Sequence, residues 1–218
     1  MNPRVSGVLL GILVVATFAT GVIVYPHLPA RVAGHWNAAG AATNTLPRFW
    51  GAFTLPIIML VLWGLWALLP KIDPIAPGFK GFRYVYDFFW IILTAFLAYV
   101  YALILGKYFG WNANLYPDIA PGLAAIYIVA GARMPRIKRN WFFGIRTPWT
   151  LSSDGVWDKT HRFGSRLFIL AGIVAFFGLL APSAGVVIII TPAVLAALVS
   201  VIYSYVLYTR EKGAPAAR

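Results

Sequence analysis

The chain is 218 residues long, 61% hydrophobic and only 11% charged, with a formal net charge of +12. Apolar runs of membrane-spanning length in so weakly charged a chain exclude a soluble globular domain. The Lys and Arg excess lies between those runs, where lipid headgroups and membrane topology explain it better than direct nucleic-acid binding; with no cysteine there is no disulfide, thiolate nucleophile or thiolate metal site.

The first apolar run, Val5 to Val24, follows MNPR but is about twenty residues long and has no clean cleavage site before Tyr25, so it reads as a retained span. Pro26 to Arg48, rich in Pro, Gly, Ala and Asn, reads as an external loop. Span two covers Trp50 to Leu69, with a kink expected at Pro56, and a short basic turn leads to span three, Tyr84 to Lys107, whose first residues form an aromatic belt. Span four, Ile119 to Met134, is short and holds Pro121, which suits a tilted helix packed inside the bundle. Spans five and six, Leu167 to Leu180 and Val186 to Tyr208, are separated by the turn APSAG, and the tail TREKGAPAAR reads as disordered. Asp73, Asp87 and Asp118 fall at span ends, where charges snorkel.

Between spans four and five lies the one long polar interval, Arg133 to Arg166, with eight of the eighteen basic residues. Pro148 drives Thr147 toward extended backbone, so NWFFGIRTP reads as a defined turn. Ser152 or Ser153 can cap a helix on which Trp157, Thr160, Phe163, Gly164 and Leu167 recur at helical spacing, with Asp158 and Arg162 paired on the other face. The expectation is an amphipathic helix lying at the membrane interface and leading into span five. The fold class is therefore an all-α integral membrane protein, a bundle of about six transmembrane helices with one long cytoplasmic loop. It divides into residues 1–69, 70–132, 133–166 and 167–218. Six spans collect fifteen of the eighteen basic residues on one side and leave Arg31, Arg48 and Lys107 on the other, which places both termini and the basic interval in the cytoplasm.

The run NWFFGIRTPWTLSS from Asn140, followed by VWDKTHR from Val156, resembles the signature of the SdpI family, prokaryotic membrane proteins named for immunity to a sporulation-delaying peptide toxin. The external loop, with Pro26, Pro29, His35, Trp36, Asn37 and Gly40, resembles the short domain of unknown function often found at the front of such proteins. The resemblance implies a cell-membrane immunity protein that binds or neutralises a membrane-active peptide and recruits a cytoplasmic transcriptional repressor. On this reading His35, Trp36 and Asn37 are the ligand-binding candidates. Asn140, Gly144, Arg146, Thr147, Pro148, Trp149, Trp157, Lys159, Thr160, His161 and Arg162 form the family motif and the docking patch, with Arg and Trp as typical anchors.

Two alternatives stay open. One is an intramembrane metal-dependent peptidase: Asp154, Asp158 and His161 can share a helix face as a divalent-ion site, for which zinc is the candidate, although the chain needs no cofactor in the leading reading. HExxH, P-loop, GxSxG and dinucleotide patterns are all missing. The other is a peptide or small-molecule transporter, which the lack of a buried ionisable series and of an evident inverted repeat argues against.

Overall fold

The computed structural model describes residues 2–37, 41–75, 77–111, 115–180 and 185–213. Gly40, most of the APSAG turn and the end of the tail lie outside the described residues. Helix α1 (Pro3–Val24) leads into a hairpin of β1 (Arg31–Trp36) and β2 (Ala42–Pro47), then α2 (Arg48–Ile72) and α3 (Pro77–Gly106). After α4 (Leu115–Arg133) comes the motif segment with the one-turn helix α5 (Pro148–Ser152), followed by α6 (Asp154–Phe176) and α7 (Gly185–Gly213).

Five helical segments, built on α1, α2, α3, α6 and α7, are long and apolar enough to cross a membrane. In each, only 22% to 33% of the apolar window is buried, and residues such as Val8, Ile12, Val15, Leu180 and Ile202 face outward. A greasy exterior around a thin packed interior is the pattern of a bundle solvated by lipid. The chain is a helical, multi-pass membrane protein.

Helix α4 is not among those five, yet it traverses the bundle. It runs antiparallel along α6: a Cβ on Gly131 would meet the Ser165 carbonyl oxygen at 2.8 Å, and one on Gly172 would meet the Ala124 carbonyl oxygen at 2.8 Å. Small residues let the two backbones touch at both ends of the contact. The N-terminus of α1, the α2–α3 turn, the motif segment and the C-terminus of α7 gather at one end of the bundle, tied by Ser6 to Asp87, Trp141 to Asp73 and Ser153 to Glu211. The hairpin lies at the opposite end. Among the described residues, the start of α1 and the end of α7 thus lie at the same end of the bundle, and α4 runs between the two ends as a sixth traverse beside the five long helices.

Three expectations change. The external loop is not irregular: β1 and β2 pair antiparallel, with register irregularities around His35. The sequence there lacks the alternating β-branched pattern of a strand, and tertiary contact compensates, since Val32 seats against Gly51 of α2 and the Ala33 N–H donates to the Tyr108 hydroxyl. The amphipathic helix expected to lead into span five is present, but as the first turns of span five itself. Residues from Asp154 onward form one helix with span five, because Val156, Trp157, Thr160 and Gly164 pack into the protein instead of lying on lipid. Asp73 and Asp87, finally, do not snorkel; they are 4% and 0% exposed.

Candidate functional site

The motif segment is a compact structure built around Asn140. This side chain is fully buried, and all four of its hydrogen-bonding positions are used. Its Nδ2 donates to the carbonyls of Lys138 and Phe143 at 2.8 and 2.9 Å, and its Oδ1 accepts the N–H groups of Phe142 and Phe143 at 2.9 and 2.6 Å. An amide with two donors and an acceptor oxygen can close such a turn, whereas a carboxylate cannot donate. The turn ends at Gly144, where φ is +105° and a Cβ would lie 2.5 Å from His161 Nε2. Glycine is required there by both backbone conformation and space.

Beyond Gly144 the segment is stitched to α6 and α7. The Ile145 N–H donates to His161 Nε2 at 3.0 Å, while His161 Nδ1 lies 2.8 Å from the Trp157 carbonyl. Nε2 accepts, so Nδ1 carries the proton and the imidazole is neutral. The ring stacks on Trp157 with centroids 4.1 Å apart, and Trp157 Nε1 donates to the Ile137 carbonyl at 2.8 Å. Thr147 caps α5 through a reciprocal box with Thr150, and its hydroxyl meets Ser204 of α7 at 3.1 Å. Trp149 packs on Tyr205 of α7 at 5.0 Å, and Ser153 caps α6 while donating to Glu211. Asp73 Oδ2 accepts the Trp141 N–H at 2.9 Å, which anchors the segment to the end of α2.

The structure thus sorts the motif residues by role. Asn140, Thr147, Trp157, Thr160 and His161 are buried and build the platform. Arg146, Pro148, Lys159 and Arg162 are exposed, as is Trp141, and Trp149 is half-buried. Arg146 lies across the turn, donating from Nη1 to the Trp141 carbonyl at 3.0 Å. A basic and aromatic surface is left on a rigid support.

The proposed metal ligands are not brought together. His161 is turned inward with both ring nitrogens on backbone groups, whereas Asp154 is largely exposed and pairs with Arg139 Nε at 2.7 Å. Asp158 borders a polar cleft with Lys138, Arg139 and Asp154. The ion pairs among the described residues are Arg139–Asp154 and Arg83–Asp87, so the expected Asp158–Arg162 pair does not form. Among the described residues no three His, Cys, Asp or Glu side chains cluster as a metal site. Spacings of three and seven residues put these groups within one angular sector, but packing rotates His161 to the core side and leaves the acids at the rim.

At the opposite end, His35 and Asn37 are exposed and Trp36 is half-buried, all at the tip half of the hairpin. Asn37 Oδ1 accepts the Ala41 N–H at 3.0 Å, and Trp36 lines a small cleft with Lys107 and Tyr108. His27 stays on its own helix end, with Nδ1 3.2 Å from the Ile23 carbonyl.

Sequence reading missed Asp87. Its carboxylate accepts from Ser6 Oγ of α1 at 3.0 Å, Trp66 Nε1 of α2 at 2.8 Å and Arg83 Nε at 2.8 Å, joining three helices at the motif end. The Arg83 guanidinium lies over the rings of Trp66 and Tyr86, 5.1 and 5.5 Å from their centroids. The i,i+4 spacing of Arg83 and Asp87 was the one available signal; the donors on α1 and α2 have no sequence signature.

These features define a class: a multi-pass helical membrane protein with a β-hairpin at one end and a rigid polar motif platform at the other. Comparison with known proteins shows which family the chain is similar to. Residues 136–205, from the motif turn into α7, match the SdpI/YfhL protein family, and residues 12–60, centred on the hairpin, match a domain of unknown function, DUF1648. The chain is thus similar to the SdpI/YfhL family through its motif segment and last two long helices. It is 26% identical over 207 residues to the protein named Immunity protein SdpI of Bacillus subtilis (strain 168), covering 93% of this chain and 95% of that protein. No solved structure matches the chain.

Proposed function

We propose that this chain is a membrane immunity protein that binds and neutralises a membrane-active peptide, and that its motif platform docks a cytoplasmic partner. The observation that carries the reading is the end-to-end match to a protein named for immunity, which includes both the hairpin and the platform. A peptide arriving from outside would first meet the hairpin, where His35 and Asn37 are exposed beside Trp36. Arg146, Trp149 and Arg162 would face the partner, a repressor in the leading version.

The six traverses are taken as six spans with both termini inside. Among the described residues, the end that gathers the start of α1, the end of α7 and the platform also carries fourteen of seventeen basic residues, and the positive-inside rule favours the cytoplasm for that end. Sequestration needs no reacting group. Peptide cleavage at His161 would require the ring to release two backbone partners and recruit distant acids.

The test is survival of toxin-sensitive bacteria expressing the chain. Protection should be lost in a His35→Ala, Trp36→Ala double variant that still inserts. Arg146→Ala with Trp149→Ala should keep protection and lose recruitment of the partner to the membrane. Full protection by the hairpin variant would overturn the outer-end assignment, and unchanged recruitment by the platform variant would overturn the docking patch.

A further inference from the structure

A cavity of about 300 Å³ lies in the seam between α3 and α4, closed at its inner end by the motif platform. Val85, Phe88 and Phe89 of α3, Ala130 of α4 and Ile145 of the platform give it an apolar wall. Among the described residues, Arg133, the last residue of α4, is the one cation in the lining and no acidic residue borders the cavity. Its guanidinium lies over the faces of Tyr84 and Phe88, 5.4 and 5.2 Å from the ring centroids. Tyr84 and Ile128, on the two helices flanking this seam, are 43% and 36% exposed on the outer surface of the bundle.

Charge and shape together select the occupant. An apolar slot with a single cation at the level where apolar helices give way to the polar platform suits a molecule with an aliphatic body and an anionic head. The opposing partial charge at the C-terminus of α4 is only about half a unit and does not cancel a full guanidinium charge. The volume is at the small end of the range for ligand sites, about 300–1,000 Å³, and admits one chain segment rather than a folded peptide. Basic pockets between membrane helices are a recurring way to hold anionic headgroups. The geometry points to a bound anionic phospholipid, with one acyl chain in the α3–α4 seam and its phosphate on Arg133.

Such a lipid would touch Ile145, whose N–H is held by His161. Occupancy would therefore brace the platform from the membrane side. This inference stands apart from the peptide-binding reading and holds or fails without it.

The experiment is native mass spectrometry of the full chain in mild detergent, titrated with phosphatidylglycerol, phosphatidylcholine or a free fatty acid. One phosphatidylglycerol per chain should be retained, with affinity about tenfold above phosphatidylcholine, whose choline cation offsets the phosphate charge that faces Arg133. Arg133→Gln should reduce phosphatidylglycerol to the phosphatidylcholine level. Ala130→Leu and the bulkier Ala130→Trp should weaken retention of both lipids in graded fashion, and the leucine variant guards against misfolding by the larger one. Equal retention of the two lipids by the unmodified chain, preference for the fatty acid, or insensitivity to all three variants would overturn the proposal.

Discussion

Substituting Gly144 by alanine isolates the contact that fastens the motif turn to α6. Two costs add. A non-glycine residue at φ +105° carries backbone strain of about 1–3 kcal/mol. The new Cβ would also stand 2.5 Å from His161 Nε2, so the ring must move and the Ile145–His161 hydrogen bond must break, leaving two poorly solvated polar groups at about 1–3 kcal/mol. Together these give a loss of about 2–6 kcal/mol, concentrated in the platform. Gly110 is the internal control: its φ is +86°, but a Cβ there would meet nothing within 4 Å. Gly110→Ala should therefore cost only the conformational part, about 1–2 kcal/mol. The assay is hydrogen exchange of residues 137–153 in detergent or nanodiscs, with thermal unfolding in parallel. Gly144→Ala should speed exchange of the Ile145 amide by at least tenfold, whereas Gly110→Ala should leave it unchanged. Equal behaviour of the two variants, or a protected Ile145 amide in Gly144→Ala, would refute the account of the turn.

Other perturbations test the remaining supports. Asp87→Asn removes the charge that satisfies Arg83 inside the bundle and should cost about 3–5 kcal/mol, read as a large drop in thermal stability; Asp154→Asn, at the exposed Arg139 pair, should cost under about 1 kcal/mol. Gly172→Leu should force α4 from α6, because a Cβ alone would already lie 2.8 Å from the Ala124 carbonyl oxygen; the expected readout is loss of monodisperse protein, while Gly64→Leu, with open space around it, should be tolerated. Thr147→Ala should cost about 1 kcal/mol through the lost cap of α5, detectable as faster exchange of the Thr150 amide.

The spanning helices are legible because lipid imposes long apolar runs, and every expected span overlaps a helix in the structure. Boundaries set by tertiary packing are less so. Span five was expected to begin at Leu167, but Arg162 and Arg166 stay exposed on one continuous α6 while Trp157 and His161 bury its other face. The hairpin was hidden because Gly34 and Ala33 carry no strand pattern, and its stability comes from α2 and Tyr108. At the platform, the motif residues were visible as a group, yet their division into buried supports and an exposed surface was not. Nothing in the spelling of Asn140 and Arg146 separates a side chain that closes four hydrogen bonds from one that lies across the outside of the turn.

The central claim is that this chain protects by holding a peptide, and peptide retention tests it most directly. Membranes containing the chain, and matched membranes without it, would be incubated with an authentic sporulation-delaying peptide and the peptide followed by mass spectrometry. The account predicts intact peptide retained specifically by membranes with the chain, and less by the His35→Ala, Trp36→Ala variant. Discrete cleavage products, or no difference between the two membranes, would contradict it.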